Sequence, residues 1–183
     1  VVLFADHAVF THDLTDKRDA AIAALDLYRA SGGTALYDTL AEALLYLKRA
    51  QGRRVVVVMT DGRDENNPGT GPGSVRRFPE VAELIKDTGA LMFGIGLGVS
   101  VDRDPLEQIA QLSGGRAFFP TDVTDLAAQY QRVVDDLRRR YVVGYTSSHM
   151  QHDGSWRSVQ IRVKDLPTAT IRSAGGYAAP ASK

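Results

Sequence analysis

Four consecutive valines, Val55 to Val58, followed by Met59 and Thr60, do not fit an ordinary surface strand. A strand with one wet face alternates apolar and polar residues, whereas an unbroken β-branched run marks a strand covered on both sides, as in parallel sheets. A second such run, ALMFGIGLG, spans Ala90 to Gly98. The intervening segments supply the covering helices. Leu36, Leu40, Ala43, Leu44 and Leu47 recur on one helical face in a segment opened by Gly32-Gly33 and ending near Gly52. Val81, Leu84 and Ile85 follow Pro79 in a helix that Gly89 ends, and Asp104-Pro105-Leu106-Glu107 carries the N-cap, first-turn proline and box glutamate of another. After Gly114-Gly115, the short strand RAFFP leads to a helix with the stripe Leu126, Tyr130, Val133, Val134 and Leu137. The sequence therefore predicts an α/β fold with a doubly wound, mostly parallel sheet over residues 1–140.

The two ends differ from this pattern. Val1 to Ala5 and the alternating AVFTHDL read as two short strands, followed by a helix capped by Asp16, with Asp19 in its first turn and Ile22, Leu25 and Tyr28 as its buried stripe. Residues 141–183 read as an antiparallel extension of three strands, YVVGYTS, WRSVQIRVK and TATIRS, with a turn at Asp153-Gly154. Because the chain opens in what looks like mid-strand, it is expected to be a piece of a longer protein.

Composition narrows the functions. Twenty-two basic residues balance 22 acidic ones, so no bulk field holds nucleic acid or an anionic membrane. No apolar run approaches the ~18 residues of a spanning helix. Without cysteine the chain has no disulfide, thiolate metal site or thiol nucleophile.

Ligands of a doubly wound sheet gather at the carboxyl ends of its strands, which selects GGTALYDTL and VVVVMTDGRDEN. Thr34 offers a hydroxyl just ahead of a helix, and Asp61 a carboxylate at a strand end. Hard cations such as Mg²⁺ take oxygen ligands of this kind, but about six of them. The plainer readings are that Thr34 is a helix N-cap and Asp61-Gly62 a strand-ending turn. Asp38 reads as a first-turn dipole partner. Asp64, Glu65 and Asn66 read as solvated residues of a mobile Gly/Pro-rich loop running to Ser74. Asp135 is expected to pair with Arg139 in the arginine-rich end of the last helix. His149-x-x-His152 is a weak metal motif. Gly98-Val99-Ser100-Val101-Asp102 resembles a nucleophile elbow but carries Asp102 where glycine is required, so a hydrolase using Ser100 is the enzymatic alternative.

Taken in order, VVLFADHAVF, GGTALYDTL, VVVVMTDG, LMFGIGLG, GGRAFF and the tail from YVVGYTS resemble the von Willebrand factor type A domain, in its bacterial branch with a C-terminal extension. The resemblance implies a non-enzymatic module that binds a protein or another ligand bearing an acidic group. It matches Thr34 and Asp61 to the threonine and aspartate of a metal-ion-dependent adhesion site. It also implies Mg²⁺ or another divalent cation in the intact parent and an extracytoplasmic location. The family's Asp-x-Ser-x-Ser element occurs nowhere in the chain: Asp13-Leu14-Thr15 and Asp122-Val123-Thr124 fail at Lys17 and Leu126. The sheet is thus expected to lack its first central strand, and the chain to bind metal weakly or not at all. A structural or assembly domain with a vestigial site is the alternative.

Overall fold

The computed structural model describes residues 1–26, 29, 31–60, 63–98, 101–165 and 168–181. In chain order the elements are β1 (Val2–Phe4), β2 (Ala8–Phe10), α1 (Arg18–Asp26), α2 (Leu36–Leu47), β3 (Val55–Thr60), α3 (Phe78–Thr88), β4 (Leu91–Gly96), α4 (Arg103–Ser113), β5 (Arg116–Phe118), a 3₁₀ turn (Val123–Asp125), α5 (Leu126–Arg138), β6 (Trp156–Ser158) and β7 (Gly176–Ala178). The fold is mixed α/β: a parallel sheet ordered β3-β4-β5, with two-stranded antiparallel pairs β1-β2 and β6-β7. The chain forms two compact units, Val1–Gly52 with Gly62–Leu84, and Arg53–Asp61 with Ile85–Lys183.

The second unit holds the parallel sheet. Every residue of β4 is buried. Because side chains alternate across a strand, Leu91, Phe93 and Ile95 face one side, where they form a core with Phe118 and Val133 of α5. Met92 and Gly94 face the other, where Leu106 of α4 lies so near that a Cβ on Gly94 would touch it. Helices thus cover both faces of β4, as the apolar run requires. The two arginines before β3 close helix ends: Arg53 donates from Nη1 to the Leu137 carbonyl at 3.0 Å, and Arg54 from Nη1 to the Thr88 carbonyl at 2.9 Å. Cations there also meet the negative ends of the α5 and α3 dipoles.

In the first unit, β1 and β2 form a hairpin with Val2 opposite Phe10. Tyr46 of α2 packs its ring 5.3 Å from that of Phe10 and donates its hydroxyl to Asp13 Oδ1 at 2.8 Å. Leu36, Leu40, Ala41 and Leu44 form the buried stripe of α2.

Several expectations need correction. The α1 stripe is exposed: Ile22 and Leu25 are each 47% accessible, and Ala24 is the buried side chain of this nine-residue helix. Tyr28 lies outside the described residues. A periodic stripe shows that one face is apolar, not that another surface reaches it. Likewise Tyr130 is exposed, and the α5 stripe is carried by Leu126, Val133 and Leu137. β3 is an edge strand in the described sheet, with Met59 exposed. The helix expected to be capped by Asp104 begins two residues earlier, with Asp102 at its N-cap position and Arg103 as its first residue. The C-terminal extension is antiparallel but has two strands, not three, among the described residues. Trp156–Ser158 pairs with Gly176–Ala178, whereas Tyr141 to Val143 and the TATIRS segment form no ladder. Strand propensity is realised only where a partner edge is available.

Candidate functional site

The loop that carries Thr34 is fixed by backbone bonds on two sides. Gly33 donates its N–H to Asp6 Oδ1 at 2.6 Å, and Ala35 donates to the Ala5 carbonyl at 2.6 Å, both acceptors lying just beyond β1. Thr34 itself forms a two-bond antiparallel bridge with Glu65, donating to its carbonyl at 2.7 Å and accepting from its N–H at 3.2 Å. Two glycines permit this approach. A Cβ on Gly33 would collide with the Glu65 carbonyl oxygen, and one on Gly73 with the carbonyls of Thr34 and Glu65.

The N-terminus of α2 follows directly, and its cap comes from elsewhere in the chain. Ala35 occupies the N-cap position and has no side-chain acceptor. The orphan donors of the first turn are met instead by the 63–77 segment. Asp64 Oδ1 accepts from Leu36 at 2.9 Å and Tyr37 at 3.4 Å, and Ser74 Oγ accepts from Asp38 at 3.1 Å. Ser74 in turn donates its hydroxyl to Asp64 Oδ1 and its N–H to Oδ2. Asp38 closes the circuit by accepting from the N–H groups of Val75, at 2.7 Å, and Arg76, at 3.1 Å, and from the Arg76 guanidinium at 3.0 Å. Burial pushes the Asp38 carboxyl up, but these hydrogen bonds and the adjacent guanidinium outweigh it and hold its pKa below the ordinary carboxylate value. Asn66 orders the tip, its Oδ1 accepting from Thr70 at 2.9 Å and Gly71 at 3.1 Å.

Three expectations about this region change. Thr34 is not the N-cap of α2. Asp38 does more than face the dipole, since it fastens Val75 and Arg76. Asp64 and Asn66 are structural acceptors, not solvated loop residues, because helix-end donors and tight-turn N–H groups need partners wherever they are shielded from water. No local signal marked Asp64 as the cap, because Thr34, a good N-cap residue type, directly precedes the cap position that Ala35 takes in the structure.

The Thr34 hydroxyl takes part in no hydrogen bond among the described residues, although its backbone is doubly held. Asp61 lies outside the described residues, as does Ser100. No group of three or more His, Cys, Asp or Glu side chains fit to hold a metal ion occurs among the described residues. With Asp64 and Asp38 occupied as acceptors, the described donor set supplies one free hydroxyl at this end of α2, far short of a hard cation's ~6 oxygens. These residues do not by themselves make a complete Mg²⁺ site. Elsewhere, Asp135 accepts from Gln131, and it is Asp136 that pairs with arginine.

A parallel sheet with helices on both faces of its central strand defines an α/β domain of Rossmann-like architecture. The chain belongs to the von Willebrand factor type A domain family, whose model matches residues 1–132. Among solved structures it is similar to a von Willebrand factor type A protein from Catenulispora acidiphila, with 21% identity and a TM-score of 0.61 over 72% of this chain and 31% of that one. It is also similar to proximal thread matrix protein 1 of the mussel byssus, solved with zinc in its metal-ion-dependent adhesion site. That match has 26% identity and a TM-score of 0.58 over 74% of this chain and 33% of that one. The conserved hypothetical protein BatB from Bacteroides thetaiotaomicron aligns with 15% identity and a TM-score of 0.59 over 76% of this chain and 78% of that one. The chain thus spans about a third of the first two relatives. No curated protein matches it. No helix among its described residues is long and apolar enough to cross a membrane.

Proposed function

We propose that this chain is a recognition module that engages an acidic group on a protein or other ligand through a divalent cation, with Thr34 and Asp61 among the metal-facing residues. The observation that carries this reading is Thr34, held by its backbone in a doubly bonded loop at a helix N-terminus while its hydroxyl bonds to none of the described residues. A ligand-facing side chain benefits from such a rigid mount, because the cost of ordering it is met before binding. The mussel relative, with zinc in the corresponding type of site, supports the chemistry. The missing Asp-x-Ser-x-Ser element means that these 183 residues supply only part of the coordination. The same reading takes residues 1–140 as the recognition domain and 141–183 as an antiparallel extension, and places the protein outside the cytoplasm.

Titration calorimetry with MgCl₂, MnCl₂ and ZnCl₂ tests the assignment. Weak binding that both Thr34→Val and Asp61→Ala reduce further is the expected result. Affinity untouched by either substitution removes these residues from the site, and no binding of any of the three ions favours a structural or assembly domain.

A further inference from the structure

The arginine-rich end of α5 reads in the sequence as a helix terminus paired with its own dipole, but the structure surrounds it with more cations. Arg132, Arg139 and Arg140 of this region line a cavity of about 650 Å³ together with Arg116 of β5 and Arg172. Asp135 and Asp136 are the acidic groups in its lining, so five guanidinium groups face two carboxylates and leave an excess of three positive charges. Asp136 is the organiser. Its side chain is 8% exposed, its Oδ1 accepts from Arg140 Nε at 3.0 Å, and its Oδ2 accepts from Arg172 Nη2 at 2.9 Å, with Arg116 Nη1 at 4.0 Å. Arg140 is fixed further by donation to the Gly114 carbonyl at 2.6 Å. One carboxylate cannot occupy the donors of three guanidiniums, each of which has five N–H groups. Arg139 has no side-chain partner among the described residues.

The rest of the lining is aliphatic. Val143, Ile161, Val163 and Ile171 lie in the same cavity and are 69%, 41%, 43% and 38% exposed. Cations preorganised by a buried carboxylate, beside uncovered branched side chains, match a ligand with one charged end and one apolar end. We propose that this cavity binds a soluble phosphate monoester whose dianionic head is held by Arg139, Arg172 and Arg116 and whose apolar body covers Val143, Ile161, Val163 and Ile171. A dianion answers an excess of three charges better than a single carboxylate does, and planar guanidinium forks suit phosphate oxygens. Nucleic acid fits less well: it favours an extended basic track with stacking aromatics, whereas Tyr141 is the aromatic side chain of this lining.

The test is calorimetric titration of the full chain at low salt with 1-naphthyl phosphate, inorganic phosphate and a 20-nucleotide single-stranded DNA. One-site binding of naphthyl phosphate, at least about fivefold tighter than inorganic phosphate, is expected from burial of the ring. Arg139→Gln should weaken it about fivefold with an unchanged Tm, since that side chain holds nothing else in place. Val163→Asn should weaken naphthyl phosphate but not inorganic phosphate. The proposal is overturned by the absence of saturable naphthyl phosphate binding, by an Arg139→Gln affinity equal to that of the wild type, or by tighter binding of the DNA.

Discussion

At the scale of single residues, the molecule shows how much depends on whether a polar atom has a partner. Asp64, which caps α2, and Thr39, within α2, differ in this respect. Asp64 uses both oxygens as acceptors, whereas the buried Thr39 hydroxyl in α2 has no hydrogen-bond partner among the described residues. A buried unpaired hydroxyl carries its desolvation cost without return, so an apolar isostere should be tolerated. Thr39→Val is therefore expected to be neutral or to stabilise the chain by up to ~1 kcal/mol, read from the urea midpoint. A loss of more than about 1 kcal/mol would mean that the hydroxyl is satisfied in solution.

At the scale of elements, the central relation is the borrowed cap between α2 and the 63–77 segment. Asp64→Ala removes the acceptor for two first-turn N–H groups and for both polar groups of Ser74. It should cost about 1–2 kcal/mol and open the segment to limited proteolysis ahead of global unfolding. The pH dependence belongs to Asp38. Its folded pKa lies below the ordinary value of 3.8, so its contribution is fully present above about that pH and is lost as pH falls through the lowered folded value. The stability advantage of wild type over Asp38→Asn should thus be constant from pH 7 to 5 and shrink toward pH 3, which denaturant titrations at each pH can establish. An advantage that grows with acidification would show that burial, not hydrogen bonding, governs this carboxyl.

For the whole molecule, the parallel sheet of the second unit holds a buried core. Phe93 is fully inaccessible, packs within the cluster of Leu91, Ile95, Phe118 and Val133, and lies 5.8 Å beneath the Arg140 guanidinium. Phe93→Ala removes a ring from a core flanked on both sides by helices, leaving little freedom to collapse. The expected loss is about 3–5 kcal/mol in global unfolding, a large share of the ~5–15 kcal/mol typical of a domain. Near-UV circular dichroism should show the packing loosening around the remaining aromatics. A loss below ~1.5 kcal/mol would place the stability of the chain elsewhere.

The sequence alone determined the parallel strands and the presence of apolar-faced helices, because the apolar runs of β3 and β4 and the stripes of α2 and α3 are local periodicities that few architectures can bury. It also determined the family, since the ordered set of loop and strand motifs is written in contiguous residues. What it left open was every relation between segments distant in the chain. Asp64 caps a helix 28 residues before it, Asp38 fastens Val75 and Arg76, and Arg116 and Arg172 meet Asp136 from opposite directions along the chain. Nothing in the local pattern of Asp64-Glu65-Asn66 distinguishes a capping carboxylate from a solvated one, and the apolar stripe of α1 looks the same whether or not a surface covers it. Periodicity records which face of an element is apolar; the pairing of donors with acceptors, and of apolar faces with each other, is fixed only when the chain closes on itself.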